Sequence, residues 1–332
     1  MSGETHTPVI TAKGLVKYYP IRHGLFSRVS AYVKAVDGIN LELFRGETLG
    51  LVGESGCGKT TTGRVIIQLE RPTAGEIYLD GSPNLATLSN RQLFPFRRKL
   101  QMIFQDPFSS LNPRMTVGSI IAEPLTIHRL ARGAARRERV ESLMEMVGID
   151  PAHSRRFPHE FSGGQRQRIG IARALAVEPE IIIADEPVSS LDVSIQAQII
   201  NLLRDLQERL GLSYIFISHE IAVVAYLSHR IAVMYLGKLV ELGKRDDFLN
   251  DPLHPYTKAL LVAVPQTKPG RKGKRIILEG DVPSPINPPQ GCSFHPRCPH
   301  RFEPCDKKIP PFFTLGENHQ VACWLYEGNR RP

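Results

Sequence analysis

The chain has 332 residues, of which 42% are hydrophobic and 23% charged, with a formal net charge of +9. This composition argues against a disordered chain. The longest apolar runs, Ile181-Ile182-Ile183-Ala184 and Ala259-Leu260-Leu261-Val262-Ala263-Val264, fall far short of the roughly 20 residues that span a bilayer. Part of the positive charge is gathered in Arg129, Arg132, Arg136, Arg137 and Arg139, and again in Arg271, Lys272, Lys274 and Arg275. Neither run is interleaved with aromatic residues, so charge alone leaves nucleic acid, anionic lipid and plain solvation open. Residues 1–8 carry neither a basic n-region nor an apolar h-region, so a cytoplasmic protein is expected.

Taken in chain order, residues 9–52 alternate short apolar runs with turns such as Val36-Asp37-Gly38, and 75–81 is another such run closed by Asp80-Gly81. This pattern predicts a small antiparallel sheet. Glu47 to Val52 reads as a buried strand, and Thr61 to Ile67 as the start of a helix. Between them Gly53-Glu54-Ser55-Gly56-Cys57-Gly58-Lys59-Thr60 has the spacing G-x-x-x-x-G-K-[ST] of a phosphate-cradling loop. Glycines let the backbone close around a polyphosphate, Lys59 supplies a cation for the β- and γ-phosphates, and Thr60 offers a hydroxyl to Mg²⁺. Cys57 is a spacer in this loop.

From Arg97 to Val177 the spacing becomes helical, interrupted at Pro107, Pro113, Pro124, Pro151 and Pro158, which predicts a mainly helical insertion. Within it, Phe161-Ser162-Gly163-Gly164-Gln165 precedes a helix over 166–176, and a serine hydroxyl with two glycine amides at a helix start makes an anion site. Two continuous apolar runs follow, Ile181 to Ala184 and Ser213 to Ser218, separated by a helical 196–210; they predict a β-α-β unit of a parallel sheet. Asp185 and Glu186 close the first of these strands. At that position one carboxylate holds the Mg²⁺ shell and its neighbour polarises the attacking water, and we assign Asp185 and Glu186 to these roles in that order. Residues 231–241 predict a hairpin, and beyond about 250 the composition shifts to Pro, Gly and Cys, which marks a boundary.

With Lys59, Ser162-Gly163-Gly164-Gln165 and Asp185 in this order, residues 9 to about 250 resemble the ATP-binding cassette (ABC) family. The family pattern LSGGQ is met except for Phe161 in place of Leu, which lies outside the residues that touch phosphate. The resemblance implies a P-loop α/β core with an antiparallel β subdomain and a helical subdomain at about 97–177. It also implies that Gln105 contacts Mg²⁺ and transmits its occupancy to a membrane partner. Ser190-Leu191-Asp192 matches the loop that crosses between two cassettes, and His219 matches a switch reaching the γ-phosphate. Tyr19, with Tyr18 as the competitor, is the aromatic that stacks on adenine, and Thr61 completes the nucleotide contacts. Such cassettes hydrolyse ATP as dimers in which Ser162 and Gly164 of one copy face the ATP held by Gly53 to Thr60 of the other.

Asp106 to Thr116, Gly118 to Leu125, Leu253-His254-Pro255-Tyr256-Thr257-Lys258-Ala259-Leu260-Leu261 and the stretch from Pro283-Ser284-Pro285 to Cys323 resemble one branch, the ATPase subunits of dipeptide and oligopeptide permeases, most nearly their F-type subunit. This implies a peripheral protein at the cytoplasmic face of the membrane. Its implied partners are a second cassette that is a paralogue, two transmembrane permease subunits and an extracytoplasmic peptide-binding protein, with no nucleic acid. The same motor could carry nickel, glutathione or sugars, and a soluble ABC ATPase acting on nucleic acid or ribosomes is the other class; here each motif occurs once, whereas those proteins hold two cassettes. Residues 251–332 form a Pro/Cys-rich, irregular extension in which Cys292, Cys298, Cys305 and Cys323 are spaced x5, x6 and x17. The spacing lacks the close C-x₂₋₄-C pairs of structural zinc, and leaves a [4Fe–4S] cluster, zinc or reduced thiols open, with His295, His300 and His319 as substitute ligands. The resemblance favours the cluster.

Overall fold

In the computed structural model, which describes residues 7–24, 27–262 and 280–329, the apolar runs of the β-α-β unit are strands buried along their whole length. The basic run at 271–275, the residues 1–6 and the end of the apolar run at 263–264 lie outside the described residues. The chain divides into two compact units. One is built mainly from Leu43–Glu47 and Thr87–Ile217, the other mainly from Pro8–Glu42, Thr48–Ala86 and the described residues after Ile217.

In the first unit Leu100–Ile103 pairs in parallel with Ile181–Asp185, and this strand pairs in parallel with Ser213–Ile217, in the register Ile103 to Ala184 and Asp185 to Ile217. Parallel neighbours need a crossover that covers a face of the sheet. Val193–Leu210 supplies it, burying Ile199, Ile200, Leu203 and Leu206 and ending at Gly211 in the left-handed conformation. The helical insertion is present as Asn90–Lys99, Val117–Ile127, Gly133–Met146 and Gly163–Leu175. Pro124 does not interrupt it. Val117–Ile127 continues through this residue, because Val117, Ile120, Ile121 and Leu125 form one buried stripe whose packing outweighs the lost backbone donor. Pro107, Pro151 and Pro158 instead stand in the first turns of short helical segments, where a missing N–H costs nothing.

The second unit contains the expected small sheet, with Pro8–His23 in the middle between Arg28–Phe44 and Ala74–Leu79; its pairing with Ala74–Leu79 is antiparallel. In the larger sheet Thr48–Val52 pairs in parallel with Arg230–Tyr235, which turns back antiparallel as Lys238–Lys244, the expected hairpin. The tail is not wholly irregular. His319–Val321 pairs antiparallel with Lys238–Lys244, and Phe313–Leu315 pairs with His319–Val321, so the extension adds two short strands to the cassette sheet. Leu253, Leu315, Val321, Cys323 and Tyr326 form a buried cluster beneath them.

Candidate functional site

Thr48–Val52 is buried throughout and delivers the chain into the loop 53–58, after which the helix Lys59–Ile66 begins. Two glycines fix that path. A Cβ on Gly53 (φ 155°) would lie 2.2 Å from the Met234 carbonyl oxygen, and one on Gly58 (φ 104°) would lie 1.9 Å from that of Ala35. Lys59 is 4% exposed, and its Nζ donates to the Gly53 carbonyl at 2.7 Å and the Glu54 carbonyl at 3.0 Å. The cation is thereby held over the loop by weakly basic partners that a phosphate can replace. Cys57 is buried beside it, and burial pushes its thiol above the ordinary range, which suits a packed spacer and not a nucleophile. Tyr19 interacts with Thr61, donates its hydroxyl to Glu70 and lies under Lys17 Nζ, 4.9 Å from the ring centre. The Tyr18 hydroxyl is turned to Asp37 instead.

On the first unit, the register of the two parallel strands carries Gln105 and Glu186 to the same carboxyl end, each two residues beyond the Ile103–Ala184 pair. There Gln105 Nε2 donates to Glu186 Oε2 at 3.0 Å. Asp185 is 1% exposed at the strand end, whereas Glu186 is half-buried, with φ 44° and its N–H donating to the Ile217 carbonyl at 2.9 Å. A positive φ is uncommon outside glycine and turns this carboxylate out of the strand's alternation. His219 belongs to the second unit, directly after the strand Ser213–Ile217, and is exposed; the adjacent Ser218 hydroxyl accepts the Glu220 N–H at 3.0 Å.

The segment 162–165, where the sequence predicts an anion site, is a reciprocal cap: the Ser162 hydroxyl accepts the Gln165 N–H at 3.4 Å and the Ser162 N–H donates to the Gln165 side chain at 3.0 Å. Gly164 also has a packing role, since a Cβ there would come 2.4 Å from Ile195 Cγ2, and Gly163 approaches Leu191. Phe161, the departure from the family's Leu, is 5% exposed and packs edge-on to His153, so the replacement keeps an apolar anchor. Asp192 caps the start of Val193–Leu210 through its backbone carbonyl. The segment after Gln105 is tied to the helix Gly163–Leu175: Arg166 lies 3.9 Å over the Phe108 ring and Arg173 donates to the Ser110 carbonyl. The residues that follow Gln105 are thus in contact with the helix that begins at Gly163.

In the tail, Cys292, Cys298, Cys305 and Cys323 are all unpaired by disulfides. Burial pushes Cys292 up to about 11 and Cys323 up to about 12, and charge on the other three cysteines adds to the rise at Cys323. Among the described residues no group of three or more His, Cys, Asp or Glu is placed to hold a metal ion. His319 is engaged elsewhere, with Nε2 donating to the buried Glu241 at 2.8 Å. Three residues received no site role from the sequence: Glu241, Tyr256 and Arg297. Tyr256 Oη accepts the Glu54 N–H at 2.8 Å, and Arg297 pairs with the Glu54 carboxylate at 2.8 and 3.1 Å. No short-range pattern marks a contact across 243 positions.

Residues 36–189 match the family model described as ABC transporter, and residues 240–305 match that of the oligopeptide/dipeptide transporter C-terminal region. The oligopeptide transport ATP-binding protein AppF of Bacillus subtilis is 52% identical, with 98% of this chain and 100% of that protein aligned. This chain belongs to the ATP-binding proteins of oligopeptide and dipeptide ABC transporters. The dipeptide transport ATP-binding protein DppF of Haemophilus influenzae is 49% identical over 96% of this chain and 97% of its own length. Among solved structures, the ATP-binding cassette MJ0796, a dimer in a post-hydrolysis state bound to ADP and Pi, superposes with a TM-score of 0.62 at 32% identity, covering 71% of this chain and 98% of that one. The fold is accordingly the ABC cassette of P-loop NTPases, and the chain is an ABC-type ATPase. No helix among the described residues is long and apolar enough to cross a membrane.

Proposed function

We propose that this chain hydrolyses ATP to drive uptake of dipeptides or oligopeptides through separate membrane subunits. The observation that carries the reading is similarity along the whole chain to peptide-transport ATP-binding proteins, including the C-terminal region model at 240–305. In this reading it sits at the cytoplasmic face of the membrane, pairs with a second cassette that is a paralogue, and serves two permease subunits fed by a peptide-binding protein. The dimeric MJ0796 supports the pairing. Residues 1–250 act as the nucleotide-binding domain and 251–332 as the extension typical of peptide transporters.

The residue roles follow from chemistry. Tyr19 stacks on adenine. The amides of Gly53 to Thr61 bind phosphate, and Lys59 transfers from the loop carbonyls to the β- and γ-phosphates. Thr60, Gln105 and Asp185 offer the oxygen ligands that Mg²⁺ takes; when bound, the ion neutralises charge between the β- and γ-phosphates. Glu186 accepts the proton of the attacking water, Gln105 orients it through their hydrogen bond, and His219 faces the γ-phosphate. Ser162, Gly163, Gly164, Gln165 and Asp192 complete the site held by the other cassette, so hydrolysis removes the contacts that keep the pair closed. For the tail we propose a [4Fe–4S] cluster on Cys292, Cys298, Cys305 and Cys323, supported by four free cysteines, none of them fully exposed, within one short extension. Iron and sulfide in anaerobically purified protein test it; iron-free, folded, colourless protein removes it.

The function is tested by isolating the chain with its membrane complex and measuring ATP-dependent uptake of labelled di- and oligopeptides into proteoliposomes. Uptake is expected with peptides. Co-isolation with nucleic acid and no permease would overturn the reading.

A further inference from the structure

We propose that Arg297 is a positioning residue for ATP binding: the Cys-bearing tail holds the front of the phosphate loop through a two-pronged ion pair with Glu54. The proposal rests on the reading of Gly53 to Thr60 as the ATP loop.

Glu54 is the first residue after Gly53, and each of its polar groups is engaged. Its carboxylate receives both Nη atoms of Arg297 at 2.8 and 3.1 Å. The N–H donates to Tyr256 Oη at 2.8 Å, and the carbonyl accepts from Lys59 Nζ at 3.0 Å. The ion pair is not a surface decoration. The Arg297 side chain is 7% exposed and that of Glu54 25%, and fork-to-fork geometry fixes direction as well as distance.

Arg297 is itself rigidly presented. It ends the helical turn His295–Arg297, inside a chain of backbone bonds in which Cys292 donates to the Cys305 carbonyl and His295 to that of Cys292. Phe294, 1% exposed, seats the turn among Tyr235, Tyr256 and His254, with ring centres 5.3 to 5.5 Å away. The same aromatic cluster therefore carries both contacts to Glu54.

Two consequences for ATP have the same sign. A glycine-rich loop loses much conformational freedom when it closes on phosphate, and a loop held at its first residue has less to lose. Glu54 also places a carboxylate in a loop meant for an anion, and Arg297 neutralises it. Removing Arg297 frees the loop and uncovers that charge; removing Glu54 as well takes the charge away. The two substitutions are therefore non-additive in a stated direction, which a contact serving only to fasten the tail would not produce.

The test measures ATP affinity of the purified full-length chain by calorimetry, and KM and kcat of the assembled complex. Arg297→Ala is expected to weaken ATP binding roughly tenfold or more and to raise KM, with kcat at saturating ATP changed by less than about twofold. Arg297→Lys, which keeps the charge and loses the fork, falls between, and Glu54→Gln/Arg297→Ala binds ATP better than Arg297→Ala alone. Lys59→Ala is the control: if it binds ATP like the parent, the loop reading itself fails. If Lys59→Ala loses ATP while Arg297→Ala and Arg297→Lys bind like the parent, or if the double variant is the weakest, the positioning role is overturned. Should Arg297→Ala not fold, Arg297→Lys and Glu54→Gln, compared with the parent at equal unfolding temperature, decide the matter.

Discussion

Replacing Glu241 by Gln probes how the tail and the cassette sheet are locked together. Glu241 is fully buried in the strand Lys238–Lys244, and its carboxylate accepts the Leu253 N–H at 2.9 Å, the His254 N–H at 2.8 Å and His319 Nε2 at 2.8 Å. Glutamine has the same shape and opens no cavity, so the change isolates hydrogen bonding. Its amide oxygen can serve Leu253 and His319 together, which leaves the amide nitrogen facing the His254 N–H, donor against donor. An orphaned buried donor costs about 1–3 kcal/mol, and the surviving bonds lose their ionic assistance, so about 2–3 kcal/mol is expected in all. The appropriate assay is hydrogen exchange of the peptide around Leu253 and His254, because a two-unit chain need not unfold in one step. That cost corresponds to protection lower by about 30- to 150-fold. Protection within about threefold of the parent would refute the claim that this carboxylate organises the turn.

Glu186→Gln should lower steady-state hydrolysis by about 10²–10⁴-fold while ATP still binds and holds a cassette pair closed, read by filtration with labelled ATP; brisk turnover removes Glu186 from the role of base. The protein should also lose stability in mild acid through His254. Burial holds this imidazole down to about 4 from the ordinary 6.5, so the folded chain keeps it neutral while the unfolded chain binds a proton. Its contribution is complete above pH 6.5 and is lost as the pH falls towards 4, at up to about 1.4 kcal/mol per pH unit. Urea midpoints between pH 7.5 and 5 should fall less for His254→Gln than for the parent; parallel curves contradict the assignment.

The nucleotide motifs were legible because each is a local device. A continuous apolar run that must be buried on both faces makes Thr48–Val52, Ile181–Asp185 and Ser213–Ile217 readable as strands, with polar residues at their ends. The capping box of Ser162 and Gln165 is a three-residue pattern, readable as such. Gln105 and Glu186 are 81 positions apart, and only the order of the family's motifs predicted that they belong together; the register of two strands explains why they meet. Pro124 misled because a stripe of buried residues overrode a local preference. The strands at 313–315 and 319–321 are too short to show alternation, and Glu241 reads in isolation as one more charged residue of a hairpin. Its partners at 253, 254 and 319 exist only after folding.

The pairing of His319–Val321 with Lys238–Lys244 has a practical consequence for cutting this chain. Taken alone, a cassette ending near residue 250 would leave the Lys238–Lys244 strand as an open, largely buried-type edge with a row of unsatisfied amides and carbonyls, a template for aggregation. The tail covers that edge and finishes it with the three-residue strand Phe313–Leu315, too short to recruit another chain. An expression boundary drawn at the end of the nucleotide motifs would therefore cut these strands from the sheet and expose its edge.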